Sequence, residues 1–221
     1  MNNRLVCVAI AARSEWRSVK AYYNIGESDL RESIYGEFFT RNICGREVLF
    51  YYSGNRKTNA SAAAQYFISK YEPEAVIVAG TCAGINRKYK ICDILMPNTA
   101  VQYDCSVVEI EPFITDKFTV TGLNESSDVT IGTADKPVVL YSDYLKIADA
   151  GIDIGDMESA SVAYVCKLNG VKCRIIKGIS DFPPEKLEDW EKQYENYRVN
   201  SQIVMKNLLS EYIDKRLEEL I

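Results

Sequence analysis

The sequence predicts one α/β domain spanning residues 1–221. It is a three-layer fold with a central mixed, mostly parallel twisted sheet flanked by helices. Three observations predict it. Short apolar runs alternate with helical stretches along most of the chain, which is the pattern of a largely parallel sheet covered on both faces. The run Arg4 to Ala12 (RLVCVAIAA) is apolar after its first residue, as a strand buried on both faces must be. Later, Ala160, Ala163, Tyr164 and Leu168 keep helical spacing, Asn169-Gly170 stops the helix, and Val171 to Ile176 reads as a buried strand. The 221 residues are 47% hydrophobic, ample for a core, and show no internal repeat or linker.

The remaining elements follow in order. A helix is expected to run from about Arg13 to Tyr23. It places Glu15 just past the end of the first strand, where open α/β sheets bind ligands. A helix-start glutamate stabilised by the helix dipole accounts for the same position. Ser33 to Thr40 and Glu47 to Tyr52 read as strands joined at Cys44-Gly45. The polar loop from Ser53 to Asn59 enters a helix over Ala60 to Lys70; its helix N-terminus can cradle an anion or be an ordinary connection. Glu74 to Ala79 is a strand ending in Gly80-Thr81-Cys82-Ala83-Gly84, small residues that let a ligand approach the backbone. Ile91 to Pro97 and Asn98 to Val108 continue the sheet. Glu109 to Asp128 is irregular, and Val129 to Thr133 and Pro137 to Tyr141 are short strands. A helix begins at Asp156. After Phe182-Pro183-Pro184, Glu185 to Ile221 is a charged amphipathic helix or pair whose apolar positions (Ile203, Val204, Leu208, Leu209, Tyr212, Ile213) cover one sheet face.

Composition narrows the function. Net charge is −5, which disfavours nucleic acid as a partner. No apolar run reaches the roughly 18 residues of a membrane span, and no signal peptide is read at the start, so a cytoplasmic protein is expected. The seven cysteines are scattered without a C-x-x-C pair, as expected of free thiols in a reducing compartment. Histidine is absent. That removes the commonest general base, the Ser-His and Cys-His pairs and most zinc sites. No cofactor or metal is expected, and acid–base chemistry must rest on Asp, Glu, Lys, Tyr or Cys. The helix–strand unit above carries one such group at each end, Glu158 and Asp181.

The order Asp156-Met157-Glu158-Ser159-Ala160-x-x-Ala163-x-x-Cys166, followed by Ile179-Ser180-Asp181, resembles the nucleoside phosphorylase/nucleosidase superfamily. The 5′-methylthioadenosine/S-adenosylhomocysteine nucleosidases are the most similar branch. Glu15 after strand one, Ser53-Gly54 with Lys57 and Asn59-Ala60, Gly80-Thr81-x-Ala83-Gly84 and Ile91-Cys92-Asp93-Ile94 extend the likeness over most of the chain. The resemblance implies a nucleoside phosphorylase-like fold and a small-molecule purine nucleoside substrate. It implies that Asp181 is the general acid toward N7 of the purine, Glu15 the base that activates water, and Met157 and Glu158 the grip on the ribose. Thr81 matches a family serine near the sugar, with Cys82 beside it on the substrate side. Ser180 supports Asp181, and Lys177 stands at a family arginine.

Two features bear on the nucleophile. Phosphorylase relatives carry an arginine where this chain has Val78, and the nucleosidase-type Glu15 is present; both favour water. A purine nucleoside phosphorylase, kept open by Arg56, and a non-catalytic nucleoside-binding relative are the alternatives. The latter is motivated by differences from the family: Arg56 in place of a second loop glycine, Ala83 within the glycine run, and Tyr103 in place of a rim histidine. The segment from Phe113 to Ile131 is too short for the helix the family carries there. The resemblance also implies a homodimer, with Tyr103 and Phe113 as exposed aromatics against the partner.

Overall fold

Strand β5 (Ala75–Gly84) is the hub of the sheet in the computed structural model, which describes residues 5–105, 118–137, 141–184 and 189–221. One edge of β5 takes β1 (Val6–Ile10) in parallel along Ala75 to Val78. Beyond it, the same edge takes the antiparallel β9 (Ile154–Asp156) at Ala83 and Gly84. The other edge takes β10 (Lys172–Asp181) in parallel from Ala75 to Ala83, with a bulge between Ile179 and Asp181. Outward from β1 lie β4 (Arg46–Tyr52) in parallel, then β3 (Gly36–Ile43) and β2 (Arg31–Ser33) in antiparallel. Outward from β9 lie β8 (Thr130–Thr133) and β7 (Thr99–Gln102), both in parallel. The short β6 (Ile94–Leu95) runs antiparallel to β10. This is the mixed, mostly parallel sheet that the alternating pattern predicts.

Helices cover both faces. The first strand splits its residues between them: Cys7 and Ala9 face one layer, Val6, Val8 and Ile10 the other. On the first face sit α2 (Lys57–Tyr71) and α4 (Ser159–Asn169), whose small residues Ala60, Ala63, Ala64, Ala160 and Ala163 let the helices lie close to the sheet. On the second face sit α1 (Arg13–Tyr23) and the C-terminal arm. That arm comprises α5 (Trp190–Asn207), a π-helical segment (Leu208–Ile213) and α6 (Asp214–Leu220). Its Met205, Leu208, Leu209, Ile213 and Leu217 are fully buried against β1 and β10. Asp214 ties the arm to α1 by accepting hydrogen bonds from Tyr22 and Tyr23, each 2.8 Å long.

Several local expectations are corrected. Tyr141 does not end a strand. It opens α3 (Tyr141–Asp149), where Tyr144, Ile147 and Ala148 keep helical spacing against Ile85 and Val101. The β-branched run before it masks that period, and 138–140 lie outside the described residues. Ser33 to Thr40 is a hairpin: β2 and β3 are separated by a turn in which Ser33 Oγ donates to Gly36 O and accepts from the Tyr35 amide. Asn98 to Val108 contributes only β7, because Tyr103-Asp104 turns the chain; 106–108 are outside the described residues, as is Phe113. Ile91 to Pro97 is extended only at β6. The helix expected from Asp156 begins at Ser159, since Ile154–Asp156 pairs with β5 and β8. Leu168 and Ile203, expected on buried stripes, are 68% and 45% exposed. Among the described residues, no helix is long and apolar enough to cross a membrane.

The C-terminal arm touches β10 at Gly178. A Cβ there would lie 2.2 Å from Val204 Cγ1 and 2.7 Å from Ile94 Cδ1, so only glycine admits this approach. Gly178→Ala should therefore destabilise the fold by about 1–3 kcal/mol through overpacking. Thermal denaturation checks this. A melting temperature equal to that of the wild type would show that α5 does not bear on β10 in this way.

Candidate active site

The topology delivers acidic groups to one point. Ala83 is paired on one side with Asp181 of β10 and on the other with Gly155 of β9. The end of β10 and the approach to α4 therefore flank the same residue. Glu15, from the start of α1, enters over the neighbouring strand ends. Glu15, Asp156, Glu158 and Asp181 line one cavity of about 360 Å³, together with Thr81, Cys82, Met157 and Ser180.

Glu15 is 3% exposed and fully engaged. Its Oε1 accepts from the Thr81 amide at 2.6 Å and the Thr81 hydroxyl at 2.7 Å. Its Oε2 accepts from the Ala12 amide at 3.1 Å, capping its own helix. Its capping of α1 and its place in the cavity lining thus coexist. Gly80 makes room for it: a Cβ at that position would stand 2.8 Å from Glu15 Oε1.

Glu158 occupies the N-cap position of α4 and is nearly buried. Its Oε1 accepts from the Arg56 amide at 2.9 Å. Burial pushes its pKa up to about 7, with Asp156 and Glu15 adding to the rise while Lys177 and the Arg56 amide oppose it. Asp156 does the capping that Glu158 does not. It accepts from the Ser159 amide and, through Oδ1, from the Thr133 hydroxyl at 2.6 Å. Asp181 is partly exposed, and Ser180 Oγ donates to its Oδ1 at 2.7 Å. Asn200 on α5 donates to Ser180 O at 2.8 Å, fixing that pair from the helical side.

Lys177 is placed differently from the other residues expected to touch substrate. It is 1% exposed, does not line the cavity, and pairs with Asp156 Oδ2 at 3.1 Å. Burial pulls its pKa down, but Asp156, Glu15 and Glu158 outweigh that and hold it above the ordinary lysine value. It is a counter-charge beneath the site.

Sequence reasoning missed other lining groups. Tyr194 and Tyr197, spaced three apart on α5, form a wall of the cavity. Their spacing within a charged helix after Pro183-Pro184 was the available signal. Tyr103, expected to be exposed, is 7% exposed and lines the cavity, packed over Gly132. Asn55, Lys136 and Pro137 complete the rim.

The polar loop also resolves. Arg56 adopts φ 78° and ψ 158°, a positive-φ conformation that glycine favours and that costs an arginine about 1–3 kcal/mol. Its amide still serves Glu158, and its Nη1 donates to Asp135 O at 2.7 Å. At the N-terminus of α2, the Lys57 amide donates to Asp135 Oδ1 at 2.9 Å, and Lys57 Nζ pairs with Asp104. The anion at that helix end is the protein's own carboxylate.

Comparison with known proteins agrees with this architecture. A family model described as the Phosphorylase superfamily matches residues 30–210. The 5′-methylthioadenosine/S-adenosylhomocysteine nucleosidase of Thermotoga maritima is 26% identical over 193 residues, covering 80% of this chain and 86% of the relative. The aminodeoxyfutalosine nucleosidase of Campylobacter jejuni is 25% identical over 189 residues, covering 76% and 81%. Among solved structures, the Helicobacter pylori 5′-methylthioadenosine/S-adenosylhomocysteine nucleosidase with butyl-thio-DADMe-Immucillin-A superposes with a TM-score of 0.74 at 18% identity, covering 96% of this chain and 100% of that one. The futalosine hydrolase of Helicobacter pylori superposes with a TM-score of 0.73 at 18% identity, covering 95% and 98%. With the family model spanning most of its length, the chain belongs to the phosphorylase superfamily.

Proposed function

We propose that the chain is a purine nucleoside N-ribosidase that hydrolyses the N-glycosidic bond of 5′-methylthioadenosine or S-adenosylhomocysteine and releases adenine. The observation that carries this reading is the convergence of Asp181, Glu158 and Glu15 on one cavity around Ala83. The nucleosidase relatives support the reaction class. A homodimer in the cytoplasm remains the expectation from the family resemblance.

Each carboxylate has a separate task in this reading. Cleavage leaves a cation-like sugar and a purine that departs badly as an anion, so a carboxylic acid near N7 lets it leave neutral. Asp181 is that acid, with Ser180 Oγ donating to its Oδ1 and so fixing the orientation of the carboxyl. Glu158, ionised, accepts hydrogen bonds from the ribose hydroxyls, with Met157 against the sugar. Glu15 orients and deprotonates the attacking water, and its charge favours the oxocarbenium-like transition state. Water is the nucleophile in this reading for two reasons. Val78 lies inside β5 and is 2% exposed, and the cationic loop at Arg56 and Lys57 is already engaged by Asp135 and Asp104.

Two outcomes are expected. Incubation with methylthioadenosine or S-adenosylhomocysteine should release adenine equally with and without phosphate, with adenosine (adenine) and inosine (hypoxanthine) run alongside to map the base and 5′ preference. Asp181→Asn should cut that rate by about 10²–10⁴-fold while keeping the fold. Strict phosphate dependence, or full turnover by the variant, would sink the reading.

A further outcome concerns pH. Glu158 must be ionised to accept from the ribose, so kcat/KM should rise through a limb with an apparent pKa of about 7 that Glu158→Gln removes. The sign for stability is opposite. The folded chain holds this proton to higher pH than the unfolded one, so the stability contribution is full below the ordinary glutamate range and fades as pH rises toward 7. A pH profile of kcat/KM without that limb would contradict the assignment.

A further inference from the structure

Asp181 is the last residue of β10, and the register with β5 already slips between Ile179 and Asp181. Beyond it, Pro183 and Pro184 carry no amide hydrogen, so continued strand pairing cannot hold the segment. Both prolines are buried, and a buried carbonyl needs a donor. Arg87, three residues past the end of β5, supplies one: its Nη2 donates to Pro183 O at 3.3 Å. The same guanidinium lies over two rings, 4.7 Å from the centroid of Phe182 and 5.3 Å from that of Tyr144. Its Nε donates to the Tyr144 hydroxyl at 3.3 Å, and that hydroxyl donates to Ile85 O at 2.9 Å. Phe182 is seated on Gly84, where a Cβ would stand 2.3 Å from its Cε1. One planar cation thus joins the exit of β5, the buried Tyr144 of α3 and the two residues that follow Asp181.

We propose that Arg87 is a positioning residue for Asp181: by clamping Phe182 and Pro183 it holds the carboxyl where it can protonate the departing base. The inference rests on the nucleosidase reading and assigns to it a residue outside the cavity, since Arg87 is not among the lining groups. Asp181 is then held from both directions along the chain. Ser180 Oγ and Asn200 fix it on the strand side, and Arg87 fixes it on the exit side. Arg87 touches neither Glu158 nor Glu15, so its effect falls on leaving-group protonation rather than on ribose binding or water activation. A lysine would keep the charge but lose both the planar face and the fork of donors.

The test compares two substrates that share one 5′-methylthioribosyl group. The adenine of methylthioadenosine needs a proton to leave, whereas the nitrophenolate of the matching nitrophenyl riboside departs as a stable anion. Arg87→Ala should lower kcat for methylthioadenosine by about ten-fold with KM changed by less than about two-fold, and should leave kcat for the nitrophenyl riboside within about two-fold. Arg87→Lys should lose adenine release as the alanine variant does. Equal losses on both substrates, an undiminished kcat for methylthioadenosine, or full recovery by lysine overturns the proposal and leaves the nucleosidase reading intact. If the wild-type chain releases no adenine, or Asp181→Asn loses both substrates equally, that reading fails instead. Amide hydrogen exchange then decides the clamp by itself. Arg87→Ala should speed exchange in the peptide from Ile179 to Phe182 by about ten-fold while leaving Ile175 and Ile176 unchanged, and an unchanged rate in that peptide overturns the proposal.

Discussion

One buried ammonium holds the site together. Lys177 Nζ lies under the cavity, 3.1 Å from Asp156 Oδ2, with Glu15 and Glu158 contributing to its field. Acidic groups this deeply buried repel one another and are poorly solvated, and this chain has no histidine to soften the balance. Removing one partner of such a buried pair strands the other and typically costs about 3–5 kcal/mol. The pair also fixes geometry. Asp156 is at once the counter-ion of Lys177, the acceptor from Thr133 and the cap of α4. Its position therefore sets where α4 begins and where Glu158 stands.

The backbone around β5 converts that electrostatic core into a site. A long central strand that exchanges β1 for β9 along one edge, while keeping β10 along the other, puts two distant sequence segments on either side of Ala83. Small residues make the approach possible: Gly80 admits the Glu15 carboxylate and Gly178 admits α5. The C-terminal arm then contributes at three levels. It buries a face of the sheet, supplies Asn200 to the Ser180 carbonyl, and supplies Tyr194 and Tyr197 to the cavity wall.

Much of this was legible in the sequence, for identifiable reasons. β1, β5, α4 and β10 are long, apolar and cleanly punctuated, so their periods survive inspection. Glu158 and Asp181 stand at the ends of one helix–strand unit, which reports their proximity directly. What was hidden depends on pairing between distant segments. The short β9 has no period of its own and exists because Ala83 and Ile131 offer it edges. The helix α3 was concealed by β-branched neighbours. Lys177 reads as a substrate-facing residue by its place before Ser180-Asp181, yet alternation along β10 points it beneath the cavity toward Asp156. Arg56 reads as a lost glycine, but the contact that matters uses its amide, which any residue except proline keeps.

Lys177 and Asp156 act as a coupled unit beneath the carboxylates. A double-mutant cycle by urea denaturation, using Lys177→Met, Asp156→Asn and the combination, tests it most directly. Each single change should cost about 3–5 kcal/mol, and the double variant far less than their sum. Additive losses would contradict it, showing that the ammonium and the carboxylate stabilise the fold independently.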